Sequence, residues 1–212
     1  MQLAEFVYEG STSTEVEYTF KHALTQEVAY NLLLIERRKL LHERIAGKIE
    51  ALYPENLDDH LAQLAYHYGR SDNLQKAVQY LERAARNALY HSAHNEAIQH
   101  LTHGLELLRR LPETPERMQQ ELLLQTALGE ALVVTKGLGA RDAREAYDFA
   151  RKLCERVGAT RQIPPVLMGL CNFYIQQHEM KAAADLAEQG LSLAEKYGDL
   201  ELRVRNHVKL PP

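Results

Sequence analysis

From residue 23 onward the apolar positions of this chain recur at three- and four-residue steps, the spacing of one face of an α-helix. A period of two appears at residues 16–20, where Val16, Tyr18 and Phe20 alternate with Glu17 and Thr19. That alternation predicts a half-buried strand, pairing with Phe6, Val7 and Tyr8 across the polar turn at residues 11–14. Two strands alone are marginal in water, so the hairpin is expected to lie against helices. Leu24, Val28, Ala29, Leu32 and Leu33 predict a helix over residues 23–34. Leu41, Ile45, Ile49 and Leu52 predict another over 36–53, stopped at Pro54.

Beyond residue 53 the pattern repeats. Leu61, Leu64, Ala65 and Tyr68 read bulky–x2–Leu–small–x2–aromatic, and Ala77, Leu81 and Ala84 read Ala–x3–bulky–x2–small. These are the spacings of the two helices of a tetratricopeptide (TPR) unit of about 34 residues. Asn73 is placed to cap the second helix. A further helix with Ala97, Leu101 and Gly104 follows too soon for a fresh pair, so the helix over 73–92 must face a neighbour on each side. Thr114 precedes a helix opening at Pro115. The pattern then returns as Leu128, Gly129 and Leu132 with Ala143, Tyr147 and Ala150. A last return is Leu167, Leu170, Cys171 and Tyr174 with Ala183, Ala187 and Gly190.

Small residues at fixed offsets let each hairpin of helices seat against the next. The expected fold class is all-α: a TPR-like right-handed α-solenoid preceded by a short β-hairpin and two helices. The expected division is residues 1–53, 54–200, and a tail at 201–212 that begins a helix and breaks off, as if cut from a longer chain.

Charge narrows the partners. The 212 residues carry 25 Lys and Arg against 29 Asp and Glu, a net charge of −4, so no nucleic-acid partner is expected. Arg37, Arg38 and Lys39, with His42 and Arg44, fall on a helix and read as a solvated face. No apolar run approaches the ~18 residues of a membrane span. Cys154 and Cys171 sit in helical patterns without C-x-x-C spacing and read as reduced, buried thiols of a cytoplasmic protein. The spaced pairs His91/His94, His100/His103 and His60/His67 lack the three or four converging ligands that zinc requires, and read as surface histidines.

EYTFKHALTQEVAYNLLLIERRKLLHERIAGKIEAL, residues 17–52, resembles the close of the ATPase module in bacterial multidomain signal-transduction ATPases of the STAND class. These proteins are often fused to an adenylate/guanylate cyclase domain and followed by TPRs. HLAQLAYHYGRSDNLQKAVQYLERA and AIQHLTHGLELLRRLPETPERMQQELLLQTALG are similar to the repeat region of the same proteins. The resemblance implies that residues 1–53 are the remnant of a winged-helix domain. It also implies that His22 contacts the phosphate of ATP or ADP, the nucleotide bound by the full-length family. In this chain Lys21 and Ala23 flank that histidine where relatives carry Met and Asp.

No G-x-x-x-x-G-K-S/T stands anywhere in the chain, and Gly137 with Gly139 makes no substitute. No cofactor is therefore expected in this chain, and no catalytic residue, metal site, ATPase or cyclase activity. The expected function is a non-catalytic scaffold of a larger signalling ATPase. Its repeats would hold a protein or peptide partner and couple to an upstream ATPase domain; a free-standing TPR adaptor is the alternative. Residues between packing positions on first helices would line the concave groove: Tyr66 and Arg70 in the first unit, Asn172 and Gln176 in the last.

Overall fold

The structure, a computed structural model, describes residues 6–12, 15–159 and 162–197. The expected tail at 201–212 lies outside the described residues. Strands β1 (Val7–Thr12) and β2 (Glu15–Phe20) pair antiparallel, with Val7 opposite Phe20 and Thr12 opposite Glu15. Nine α-helices follow among the described residues. They are α1 (Ala23–Asn31), α2 (Ile35–Leu52), α3 (Leu61–Tyr68), α4 (Leu74–Tyr90), α5 (His94–Leu108), α6 (Pro115–Lys136), α7 (Arg141–Val157), α8 (Ile163–Gln176) and α9 (Met180–Tyr197), with a 3-10 turn at Leu57–His60 ahead of α3. The fold is mostly helical, with helices packed pairwise in sequence order behind a short hairpin. No described helix is long and apolar enough to cross a membrane.

The repeat positions are where the helices meet. Leu61, Leu64, Ala65 and Tyr68 are buried, as are Ala77, Leu81, Ala84, Ala97, Leu101, Ala143, Tyr147, Ala150, Leu167, Leu170, Cys171, Ala183 and Ala187. Helix α4 does face two neighbours, with α3 on one side and α5 on the other, and Ala85 and Ala88 complete its narrow waist. The Asn73 side chain accepts from the Lys76 amide, and Thr114 accepts from that of Arg117, so both expected caps form.

Alternate helices also touch. Glu50 of α2 reaches α4, Gln120 of α6 donates to Glu82 of α4, and Arg151 of α7 donates to Gln189 of α9. His103 of α5 lies against the backbone of Gly69 at the end of α3. The helices therefore form two layers, α2/α4/α6/α8 and α3/α5/α7/α9. Helix α6 joins two apolar clusters: Leu124 belongs to the first, Leu122 and Leu132 to the second, and Leu128 touches both.

Tyr147 shows how tightly the layers are keyed. Its ring, carried on α7, fills the gap between α6 and α8, where Gly129 and Gly169 present bare backbone. A Cβ added at Gly169 would stand 2.4 Å from the ring, and one at Gly129 2.8 Å. Burial pushes the Tyr147 hydroxyl well above its ordinary pKa, with Glu130 adding to the effect.

The N-terminal elements depart from expectation. Helix α1 ends at Asn31, short of the expected residue 34, and none of its residues is buried. Leu24 is 73% exposed and Leu32 79%, and Phe6, Tyr8, Tyr18 and Phe20 of the hairpin region are also exposed. Most of the stripe expected to bury α2 is turned outward as well: Leu41, Ile45 and Leu52 are exposed, Ile49 alone of the four packs against the core, and His42 and Ala46 are the buried residues. One residue along a helix is about 100° around it, so facing the repeats with His42 turns Leu41 away from them. His42 is thus no part of a solvated basic face.

Gly169→Ala is expected to destabilise the protein by about 1–3 kcal/mol through overpacking. In a Tyr147→Leu background the same change should become neutral or favourable, because alanine suits a helix better than glycine by about 1 kcal/mol. Urea unfolding of the four proteins in this cycle measures the coupling.

Candidate functional site

The side of α2 that meets the repeats carries Ala46 and Ile49 at the apolar core and two polar networks beside them. Near its end, the Glu50 carboxylate accepts from Tyr68 Oη (2.6 Å), Tyr80 Oη (2.6 Å) and Lys76 Nζ (2.5 Å). The two tyrosine rings stack parallel, 5.3 Å between centroids, and Lys76 stands over Tyr68. Partial burial pushes the Glu50 pKa up, but the bonds from Lys76, Tyr68 and Tyr80 outweigh it and leave the carboxyl below its ordinary value. Burial and the bond to Glu50 push Tyr80 up to about 12, and the bond to Glu50 raises Lys76. About two turns earlier on α2, Glu43 accepts from the Asn73 amide group. One carboxylate thus ties α2 to both α3 and α4.

Two turns before Glu50 on α2 lies an imidazole–phenol–guanidinium cluster. His42, only 6% exposed, is bonded at both ring nitrogens: Nε2 to Tyr30 Oη of α1 (2.9 Å) and Nδ1 to His67 Nδ1 of α3 (2.9 Å). Two facing Nδ1 atoms need one donor and one acceptor, so they share a single proton. Tyr66 meets the His42 and His67 rings edge-on, and the Arg70 guanidinium lies 3.8 Å above the Tyr66 ring. Arg38 covers Tyr30 at 5.2 Å. His103 completes the group from α5, beside Gly69.

Burial is the main cause that lowers the pKa of each of these three histidines. His67 and then Arg70 add to it at His42, and Arg70 alone at His67. At His103 the neighbouring Glu106 opposes it while Arg70 and His100 reinforce it. The cluster therefore carries its positive charge chiefly on arginine.

The sequence-predicted site residues fall in three places. Tyr66 of α3 and Arg70, just past the Gly69 that ends the helix, come together at the heart of this cluster. Asn172 and Gln176 sit on α8, in the other layer, with Gln176 beside Gly139 of the α6–α7 loop. The structure therefore does not bring the two pairs together on one surface.

His22 occupies the N-cap position of α1 with an extended backbone and an exposed side chain. Its carbonyl accepts from the Thr25 and Gln26 amides, but the imidazole caps nothing. Sequence reasoning missed Tyr30, His42, His67 and His103 as partners. The available signal was the i, i+4 spacing of His42 and Ala46 on a face of α2 about 100° around from Leu41 and Ile45.

Both cysteines are buried thiols outside any disulfide; burial, helped by Glu155, pushes Cys154 up to about 11, and Cys171 donates to the Ala183 carbonyl. Among the described residues no three His, Cys, Asp or Glu side chains gather as metal ligands do.

No family model matches the chain. It is similar to an uncharacterized protein of Rhizobium meliloti (strain 1021), 28% identical over 193 residues. That alignment covers 90% of this chain but 18% of the Rhizobium protein, so the chain corresponds to a fraction of a much larger polypeptide there.

Glu50→Gln should cost about 1–3 kcal/mol at neutral pH, since it removes the acceptor charge shared by three donors. The depressed Glu50 pKa contributes stability that is present above its unfolded value near 4.5 and lost as pH falls through the folded value. Urea titrations at pH 7 and pH 3.5 should accordingly bring the native and Glu50→Gln proteins closer in stability at the lower pH.

Proposed function

We propose that this chain is the non-catalytic, partner-binding part of a multidomain signalling ATPase of the STAND class. In this reading α3–α9 are TPR-like repeats that hold a protein partner or effector. The hairpin, α1 and α2 are the remnant of a winged-helix domain that couples them to a nucleotide switch upstream.

The observation that carries the reading is the two-sidedness of α2. One side is bonded to the repeats through Glu50 and His42, while the other, with α1, presents Leu24, Val28, Leu32, Leu41, Ile45 and Leu52 outward. Large apolar side chains left exposed on neighbouring elements in this way mark an interaction surface. Its position against the repeats would pass a shift in an upstream domain directly into α3 and α4. The similarity to a fraction of a far longer protein supports a multidomain parent. The resemblance of residues 17–52 supports the ATPase assignment, a possible cyclase-linked architecture, the cytoplasmic location and the role of His22 toward nucleotide phosphate.

Calorimetry with ATP and with ADP should detect no tight binding to this 212-residue chain; tight binding would overturn the non-catalytic reading. Val28→Asp with Ile45→Asp should leave the chain's unfolding midpoint unchanged, yet alter nucleotide turnover in the full-length protein. A phosphate-loop sequence is expected in frame ahead of residue 1. An unrelated gene there would leave the free-standing TPR adaptor as the better reading.

A further inference from the structure

Several arginines of the repeats meet a carboxylate: Arg83 meets Asp58, Arg86 meets Glu82, Arg117 meets Glu121 and Arg144 meets Asp148. Arg70 is not among them; it is held by an aromatic ring instead. Among the described residues no carboxylate stands within ion-pairing distance of it. Arg70 rests on the Tyr66 ring and makes a long bond of 3.5 Å to the Tyr66 carbonyl. Stacking on an aromatic face holds a guanidinium plane in one orientation and leaves its edge of N–H donors free to point outward. His67 meets the same Tyr66 ring edge-on, and His103 stands against Gly69, the residue before Arg70; the Arg70 charge reaches both.

We propose that Arg70, seated on Tyr66 and flanked by His67 and His103, is a binding site for the side-chain carboxylate of an aspartate or glutamate on a partner polypeptide. This rests on the partner-binding reading above and names the chemistry of one contact in it.

Charge matching selects the ligand. With its histidines neutral, the site offers the single charge of one arginine, which suits a carboxylate better than a phosphate dianion. The planar fork of the guanidinium also matches a carboxylate bonded through both oxygens. Exposure selects its carrier. A lone small anion gains little at so open a site, whereas a polypeptide adds contacts along the half-exposed Tyr66 ring and its surroundings.

Binding should also draw a proton. An anion beside His67 and His103 favours their charged forms, so affinity should rise as pH falls from 7 to 6. The groups that set this response are Tyr30 from α1, Arg38 and His42 from α2, Tyr66 from α3, Arg70 from the turn after it, and His100 and Glu106 from α5.

The test uses the 212-residue chain with a blocked peptide of alternating Leu and Glu, its Gln counterpart, and inorganic phosphate, followed through the imidazole NMR resonances. The Glu peptide should bind saturably and raise the titration midpoints of His67 and His103. Replacing its Glu by Gln, or Arg70 by Gln, should weaken binding about tenfold or more, the scale of a lost charge-assisted hydrogen bond. Arg70→Lys should retain part of it.

Absence of binding by the Glu peptide, equal binding of the two peptides, indifference to Arg70→Gln, or tighter binding of phosphate would each overturn the site. Saturable binding of both peptides regardless of Arg70 would overturn this site and leave the scaffold reading standing. Tight ATP binding by the chain would instead strike that reading itself.

Discussion

No helix in the repeats can bury its apolar surface against one neighbour. Helix α4 shows why: Ala77, Leu81, Ala84, Ala85 and Ala88 spread its buried surface around the helix, so it needs α3 and α5 at once. Small residues at these positions let two neighbours approach, and a bulky ring from one helix enters the space that another leaves. The Tyr147 ring between Gly129 and Gly169 is the extreme case, where even a methyl group would collide. Such contacts join each element to the next in sequence, so the architecture grows by addition and needs no distant pairing.

The joint between α2 and the repeats works by different physics. Apolar packing between helices tolerates small sliding and rotation, because its energy depends mainly on buried area. Hydrogen bonds do not, since they weaken steeply with angle. Glu50 holds donors from α3 and α4 at 2.5–2.6 Å, and His42 is bonded on both sides, so α2 has one orientation against the repeats. A joint of this kind is directional, and that suits a lever better than a greasy interface would. It also places ionisable groups where protonation changes the bonding.

The repeats were legible in the sequence because their determinants are local and periodic. The spacing of Leu61, Leu64, Ala65 and Tyr68, or of Ala143, Tyr147 and Ala150, states which residues share a helix face. Capping by Asn73 and Thr114 is likewise written within three residues of each helix start. The hairpin was legible from its alternation, although β1 runs on to Thr12, further than its apolar residues suggested. Of the candidate site, Tyr66 and Arg70 were legible as non-packing positions on and just after α3. Their distance from Asn172 and Gln176 was not, because a shared position in the repeat pattern does not say which layer a helix joins once α4 serves two neighbours.

By itself, then, the sequence determined where the helices run, which of their residues meet, and that no phosphate cradle is present. Only the tertiary structure decided how α2 is turned. Helix α2 carries one apolar stripe and one polar stripe, and periodicity ranks the apolar one for burial because it counts only solvent transfer. Whether a polar stripe can be buried depends on partners that satisfy it. Here those partners are Tyr30, His67, Tyr68, Lys76 and Tyr80, supplied by α1, α3 and α4. Complementarity between side chains as much as thirty residues apart outweighed the local hydrophobic preference, and it left the leucines of α1 and α2 facing outward.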